Sequence, residues 1–348
     1  MKNICFITTT RADYGLLKPL IKSVDESKNF NYSLVVSGTH LVESFGNTYT
    51  EIEKDFNIDE KIFVPIFETN VGTCKSSGCL LIAFVDRLNL LNSEKPIDLV
   101  VILGDRYEMF SICQVCYMLK LKICHIAGGD VTEGAIDNIF RNCISQMAQY
   151  HLPTCEESKN NLIKMGFNNV RVLGNPGLEI FNNYKPLKNK FDEDYILIVF
   201  HPETLQEDII YIKQFFDSVK KSKYKKVIIK PNCDPEYEKI LLEIDESFYP
   251  ITSLEREEYL SLAYYSKYYI GNSSSGLYEL PHLNIRIINV GNRQKGRKIA
   301  SNVINTDYNN LDETISLVEQ IDNKIEFNGG YKIYNSKEIF MDFLETNI

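Results

Sequence analysis

The chain has 348 residues, 44% of them hydrophobic, and a formal net charge of −9. That length and composition suit two domains with real cores. The acidic balance argues against a nucleic-acid partner, whose binders present a basic patch, and no apolar run is long enough to span a membrane. The opening MKNICFITTT reads as a strand, without the apolar core or cleavage site of a leader, so a cytoplasmic protein is expected. Nine cysteines are scattered and odd in number. Most sit in apolar runs, as at Cys5, Cys124 and Cys233, and they read as free thiols in a reducing compartment. The CQVC pair, Cys113 and Cys116, lies inside an apolar helical pattern and reads as core packing. No Cys or His pairs stand at zinc spacing, so no metal and no cofactor is expected.

Short β-branched runs alternate with helix-length segments along the chain. The predicted strands are NICFITT, YSLVVSG, KIFVPI, DLVVILGD, KICHIAG, HLPT and VRVLG, then YILIVFHPE, KVIIKPN, YPITS, YYIGNSS and RIINVG. Continuous apolar runs between helices imply parallel strands covered on both faces. Two such series imply two doubly wound α/β domains, 1–182 and 183–335, with a closing helix over 336–348. The polar stretch 182–194 reads as the hinge, and its DED (Asp192 to Asp194) as solvated charge.

Ligands of open parallel sheets bind beyond the carboxyl ends of the strands. Polar motifs recur there: TTTRADYG, SGTH, GDRYE and AGGD in the first half, HPET, KPN and GNSSSG in the second. Two domains facing a central cleft would bring both sets together. In GNSSSGLYEL, Ser273, Ser274 and Ser275 precede a helix-like segment, whose free N–H groups and dipole suit phosphate. Glu279 could accept from ribose hydroxyls. The alternative is a serine cap beside an exposed glutamate, which accounts for one serine and not three. GNRQKGRK adds Arg293, Lys295, Arg297 and Lys298 after the next strand, and Arg11 could close on the same diphosphate with its planar fork.

His201 ends a very apolar strand and could bind or help expel phosphate; a structural histidine is the alternative. His40, in SGTH, is a further substrate candidate on a thinner signal. Asp105 and Arg106 also leave a buried strand. Asp137 and Arg141 are four apart and share a helical face. The helix dipole favours the Asp137 anion. Asp105 and Asp137 are therefore the best pair for proton transfer, with an exposed capping aspartate as the alternative for Asp137.

In order and spacing, TRADYG, SGTHL with FGNTY, GDRYEMF, HIAGGDVTEGAID, FHPET, KPN, GNSSSG and GNRQKGR resemble the hydrolysing UDP-N-acetylglucosamine 2-epimerases of the sialic acid and nonulosonate branch. The resemblance implies a GT-B-like fold, a UDP-linked 2-acetamido sugar as substrate and a homo-oligomer. It matches Arg11, His201, Asn232, Ser273, Ser274, Glu279 and Arg293 to nucleotide-binding positions, and Asp105 and Asp137 to catalytic carboxylates, with Arg106 beside the first. The implied reaction expels UDP from C1, removes the C2 proton to give a glycal, and hydrates it with inversion at C2. The sequence departs from the family pattern at Ala127, where many members carry a catalytic Glu, and at Asn142, where His is common. Asp130, or else Glu133, would then supply the missing carboxylate. A GT-B glycosyltransferase and a silent nucleotide-sugar-binding protein are the alternative readings.

Overall fold

The computed structural model describes every residue except Glu68, Glu207, Asn232, Cys233, Pro235, Ser253 and 322–325. Two compact units emerge. Unit 1 comprises Met1–Asp130, Asp137–Glu179 and Lys332–Ile348; unit 2 comprises Val131–Ile136 and Ile180–Tyr331.

Unit 1 holds strands β1 (Lys2–Thr8), β2 (Phe30–Ser37), β3 (Glu60–Ile62), β4 (Leu99–Leu103), β5 (Ile123–Ile126) and β6 (Tyr150–Leu152). Its helices are α1 (Arg11–Asp25), α2 (Tyr49–Asp55), α3 (Asn70–Glu94), α4 (Tyr107–Met118), α5 (Asp137–Met147) and α6 (Glu156–Lys164). The six strands are parallel, in the order β3-β2-β1-β4-β5-β6. Alternate residues of each strand feed opposite cores, as the two-residue period requires. Ile4, Phe6, Leu34, Val36, Val101 and Ile126 pack under α1. Cys5, Ile7, Val35, Val100, Ile102 and Ile123 pack under α3 and α4, together with Cys113 and Cys116. Burying each large apolar side chain contributes about 1.5–3 kcal/mol.

Unit 2 repeats the scheme with β7 (Tyr195–Val199), β8 (Lys225–Ile229), β9 (Phe248–Ile251), β10 (Tyr269–Gly271), β11 (Ile287–Val290) and β12 (Val303–Thr306). They are parallel in the order β12-β11-β10-β7-β8-β9. The helices are α7 (Ile210–Lys220), α8 (Tyr237–Glu243), α9 (Arg256–Tyr265), the single turn α10 (Ser275–Tyr278) and α11 (Leu311–Gln320). Helix α12 (Ser336–Asn347) follows and belongs to unit 1, where Phe340, Phe343 and Leu344 join the α1 core.

Four features differ from the sequence expectation. VRVLG forms no strand, only an isolated bridge from Val170 to His151. β12 was not anticipated, because VINT is short and flanked by polar residues. The segment after GNSSSG is one turn of helix followed by a 3-10 turn over Leu280–Leu283, not a sustained helix, so its dipole is small. Val131–Ile136 groups with unit 2, because it docks on the loop after β11: the Glu133 N–H donates to Lys295 O at 2.9 Å, and Gly134 lies so close to Asn292 O that a Cβ would stand 2.1 Å from it. Asp192 to Asp194 are exposed; Glu193 pairs with Lys225 at 2.6 Å and Asp194 with Lys267 at 3.2 Å. No described helix is long and apolar enough to cross a membrane.

Candidate functional site

In a doubly wound sheet the chain leaves neighbouring strands toward opposite faces at one point, opening a crevice beyond their carboxyl ends. Unit 1 has that point between β1 and β4, and unit 2 between β7 and β10. Both are lined by polar residues.

At the end of β1, Thr10 caps α1. Asp13 completes a capping box: the N–H and hydroxyl of Thr9 and the N–H of Thr10 donate to its Oδ2 at 2.8, 3.1 and 3.1 Å. Burial pushes the Asp13 carboxyl up to about 6 from 3.8, against the pull of these donors and of Arg106. Arg11, the first residue of α1, pairs with Glu51 at 2.8 Å. His40 is fully buried, with Nε2 3.0 Å from the Thr8 hydroxyl and Nδ1 2.7 Å from that of Thr48. Both nitrogens are thus engaged inside the unit, and burial lowers its pKa to about 4. That geometry fits a histidine of the core.

Beyond β4 and β5 lies a cluster of buried polar residues. Arg141, 1% exposed, donates from Nη2 to the Asp105 carboxylate and from Nη1 to Asp130 O at 2.9 Å and to Asn138 Oδ1 at 3.2 Å. Asn138 adjoins Asp137, the first residue of α5 and partly exposed. One buried guanidinium thus ties together Asp105, the glycine-rich turn and the start of α5. Asp130 is buried; its Oδ1 accepts from the hydroxyls of Thr154, at 3.1 Å, and Ser158. Glu133 instead faces solvent and pairs with Lys295 at 2.9 Å. Arg106 is held by Glu108, itself fully buried, through two hydrogen bonds of 3.2 and 3.1 Å. Ala127 has a φ of 65°, in the left-handed region that favours glycine, which strains the turn leading to Asp130. His125 braces the cluster: Nε2 meets Gly104 O at 2.8 Å and Nδ1 the Ser145 hydroxyl at 2.9 Å.

In unit 2, Gly271 ends β10 against β7 so closely that a Cβ there would stand 2.0 Å from Val199 O. That approach lets the fully buried Asn272 clamp the neighbouring strand end. Its Oδ1 accepts from His201 N–H at 2.7 Å, and its Nδ2 donates to His201 O at 2.8 Å. Asn272 O in turn accepts from Arg293 Nη1 at 3.3 Å and from Gln294 Nε2 at 2.8 Å. Asp234 lies 3.3 Å from Arg293 Nη2 and 4.0 Å from His201 Nδ1. Ser273, Ser274 and Ser275 are partly exposed; Ser275 donates to the Ser273 hydroxyl at 3.2 Å and meets Tyr259 OH at 2.7 Å. Glu279 pairs with Arg256. Arg297 stacks on Tyr278, 5.0 Å from the ring centre, and its buried Nε and Nη1 find no acceptor among the described residues. The side chain of Gln294 likewise has a buried Oε1 without a donor. Such orphaned groups fit a polar ligand or ordered water.

The structure therefore gathers Asp105, Arg141 and Asp130 in unit 1, and His201, Arg293 and the serines in unit 2. Asn232 lies outside the described residues. Sequence reading passed over Asn272, Asp234 and Glu203. An asparagine just past a strand-ending glycine was the available signal for Asn272. Among the described residues no group of three His, Cys, Asp or Glu is placed to hold a metal ion.

Two doubly wound sheets with polar switch points define a ligand-binding α/β protein of the GT-B-like kind. A profile described as UDP-N-acetylglucosamine 2-epimerase matches residues 22–342, and the chain belongs to that family of enzymes. It is 35% identical, over 91% of this chain and 88% of the relative, to a Campylobacter jejuni protein named GDP/UDP-N,N′-diacetylbacillosamine 2-epimerase (hydrolyzing). A Legionella pneumophila protein named UDP-N,N′-diacetylbacillosamine 2-epimerase (hydrolyzing) is 32% identical, over 88% of this chain and 85% of the relative. The fold also resembles the crystal structure of Methanocaldococcus jannaschii UDP-GlcNAc 2-epimerase in complex with UDP-GlcNAc and UDP, at a TM-score of 0.78 and 19% identity over 99% of this chain and all of that one.

Proposed function

We propose that the protein is a hydrolysing 2-epimerase that converts a UDP-linked 2-acetamido sugar to free UDP and the C2-inverted sugar, as a step toward a nonulosonic acid. The observation that carries this reading is the Asp105–Arg141 pair at the end of β4, with Asp137 at the start of the same helix as Arg141. The names of the two relatives support the hydrolysing outcome. They also support a 2,4-diacetamido-6-deoxy hexose beside N-acetylglucosamine as the sugar.

The C2 hydrogen is weakly acidic, so departure of UDP must lead. As the C1–O bond breaks, the anomeric carbon gains positive character and the C2 proton passes to a carboxylate, leaving a glycal. Water then adds its hydroxyl at C1, and a proton returns to C2 from the opposite face. On this reading Asp105 and Asp137 carry the proton transfers. Asp130, hydrogen-bonded by Thr154 and Ser158, is the buried carboxylate nearest in sequence to Ala127. His201, Ser273, Ser274, Ser275, Arg293 and Arg297 receive the nucleotide, where cations and donors stabilise the leaving diphosphate. Arg11 contributes a further cation.

Incubation with UDP-N-acetylglucosamine and, separately, with its UDP-2,4-diacetamido-6-deoxy counterpart tests the reading. Free UDP and an equal amount of C2-inverted sugar are expected from one of them without any acceptor. UDP release only in the presence of a second sugar would replace the epimerase reading with a transferase.

A further inference from the structure

A carboxylate buried beside the cations of an anion site needs a reason, because it costs desolvation and opposes the ligand's charge. Glu203, two residues past His201, is 2% exposed. Its Oε1 accepts from Tyr308 OH and from Asn292 N–H, the latter at 3.0 Å. Its own N–H donates to Tyr211 OH at 2.7 Å, and the Tyr211 and Tyr308 rings pack 5.2 Å apart. Gly291 makes room for this contact: at φ 75° it carries no Cβ, which would lie 1.9 Å from Glu203 Oε1. The Gly291–Asn292 peptide fixed this way lies one residue before Arg293, whose guanidinium reaches Asn272 O beside the serines.

We propose that Glu203 is a positioning residue that sets Arg293 for the diphosphate by pinning the first peptide of the loop after β11. This deepens the nucleotide reading of Arg293 and rests on it. Glu203 acts as an acceptor in the strut from Tyr308 to Asn292, and its effect on ligand passes through Arg293 alone.

Calorimetry with UDP and steady-state kinetics with UDP-N-acetylglucosamine test this. Glu203→Ala should weaken UDP by about tenfold, the size expected for losing one hydrogen bond to a positioned group, and lower kcat/KM by at least as much with part of the loss in kcat, because Arg293 faces the leaving diphosphate. Glu203→Gln keeps an acceptor oxygen and should restore binding to within about threefold of wild type. In an Arg293→Ala background Glu203→Ala should add nothing, since the two act as one unit. Wild-type affinity in Glu203→Ala, or additive losses in the double variant, overturns the positioning role. If Arg293→Ala alone leaves UDP binding intact, the nucleotide reading fails and the positioning role with it. Should Glu203→Ala not fold, Tyr308→Phe removes one leg of the strut and should weaken UDP by about threefold; unchanged affinity there is an equal refutation.

Discussion

Arg141 shows how a single buried side chain can organise chemistry. Removing an arginine from water is costly unless its donors find acceptors, and here Asp105, Asp130 O and Asn138 accept from its two terminal nitrogens. If Asp105 and Asp137 move protons, Asp105→Asn and Asp137→Asn should each lower turnover by about 10²–10⁴-fold. UDP affinity, assigned mainly to residues of unit 2, should change little, and calorimetry beside a UDP-release assay checks both. A variant with full turnover removes its residue from the proton relay. The placement of Asp105 just past a strand and of Asp137 at a helix start could be read from the sequence, because both are recognisable by pattern. The Asp105–Arg141 pair could not, since sequence spacing pointed Arg141 at Asp137, four residues back. Asp130 raised the opposite difficulty: its residue type suited catalysis, while the hydroxyls of Thr154 and Ser158 that hold it come from a distant part of the chain.

At the scale of elements, the switch point of unit 2 depends on how closely β10 approaches β7. Gly271→Ala would put a methyl group against Val199 O, and the expected loss is about 1–3 kcal/mol or more by chemical denaturation. Gly78→Ala in α3, where nothing lies within 4 Å, should instead stabilise by roughly 0.4–1 kcal/mol. Equal stabilities for the two variants would refute the close-approach account. Long apolar runs such as YILIV and LVVIL made their strands easy to read, because burial on both faces leaves no polar alternation. β12 was hidden by its half-exposed edge position, where VINT needs no continuous apolar run. The turn after the serines was misjudged because LYEL suggests helix continuation, whereas Pro281 lets the chain tighten into a 3-10 turn. Nucleotide binding there, on the proposed reading, draws on side chains and loop geometry more than on a helix dipole.

For the molecule as a whole, buried histidines set the acid response. Burial lowers His40, His125 and His151 from 6.5 to about 4, and lowers His282 as well. The unfolded chain takes up protons below pH 6.5 that the folded chain refuses until about pH 4, so stability should fall as pH drops through that window. Asp13, raised to about 6, has the opposite sign, because it is protonated earlier in the folded state and adds stability as pH falls from 6 toward 3.8. Burial raises Glu203 in the same sense; these two carboxyls stand against four histidines, and Tm should decline between pH 6.5 and 4.5, while a flat or rising Tm across that range contradicts the burial account. The two-sheet plan was legible from the alternation of strands and helices. The grouping of Val131–Ile136 with unit 2 was not, because it depends on Gly134 meeting the Asn292 backbone. The central claim is elimination of UDP to a glycal followed by hydration, and the most direct measurement is turnover in heavy water with the released sugar analysed by NMR. The expected product carries one solvent deuterium at C2, with that centre inverted and one UDP freed per sugar. A C2-inverted product that keeps its original hydrogen at C2 would contradict the mechanism.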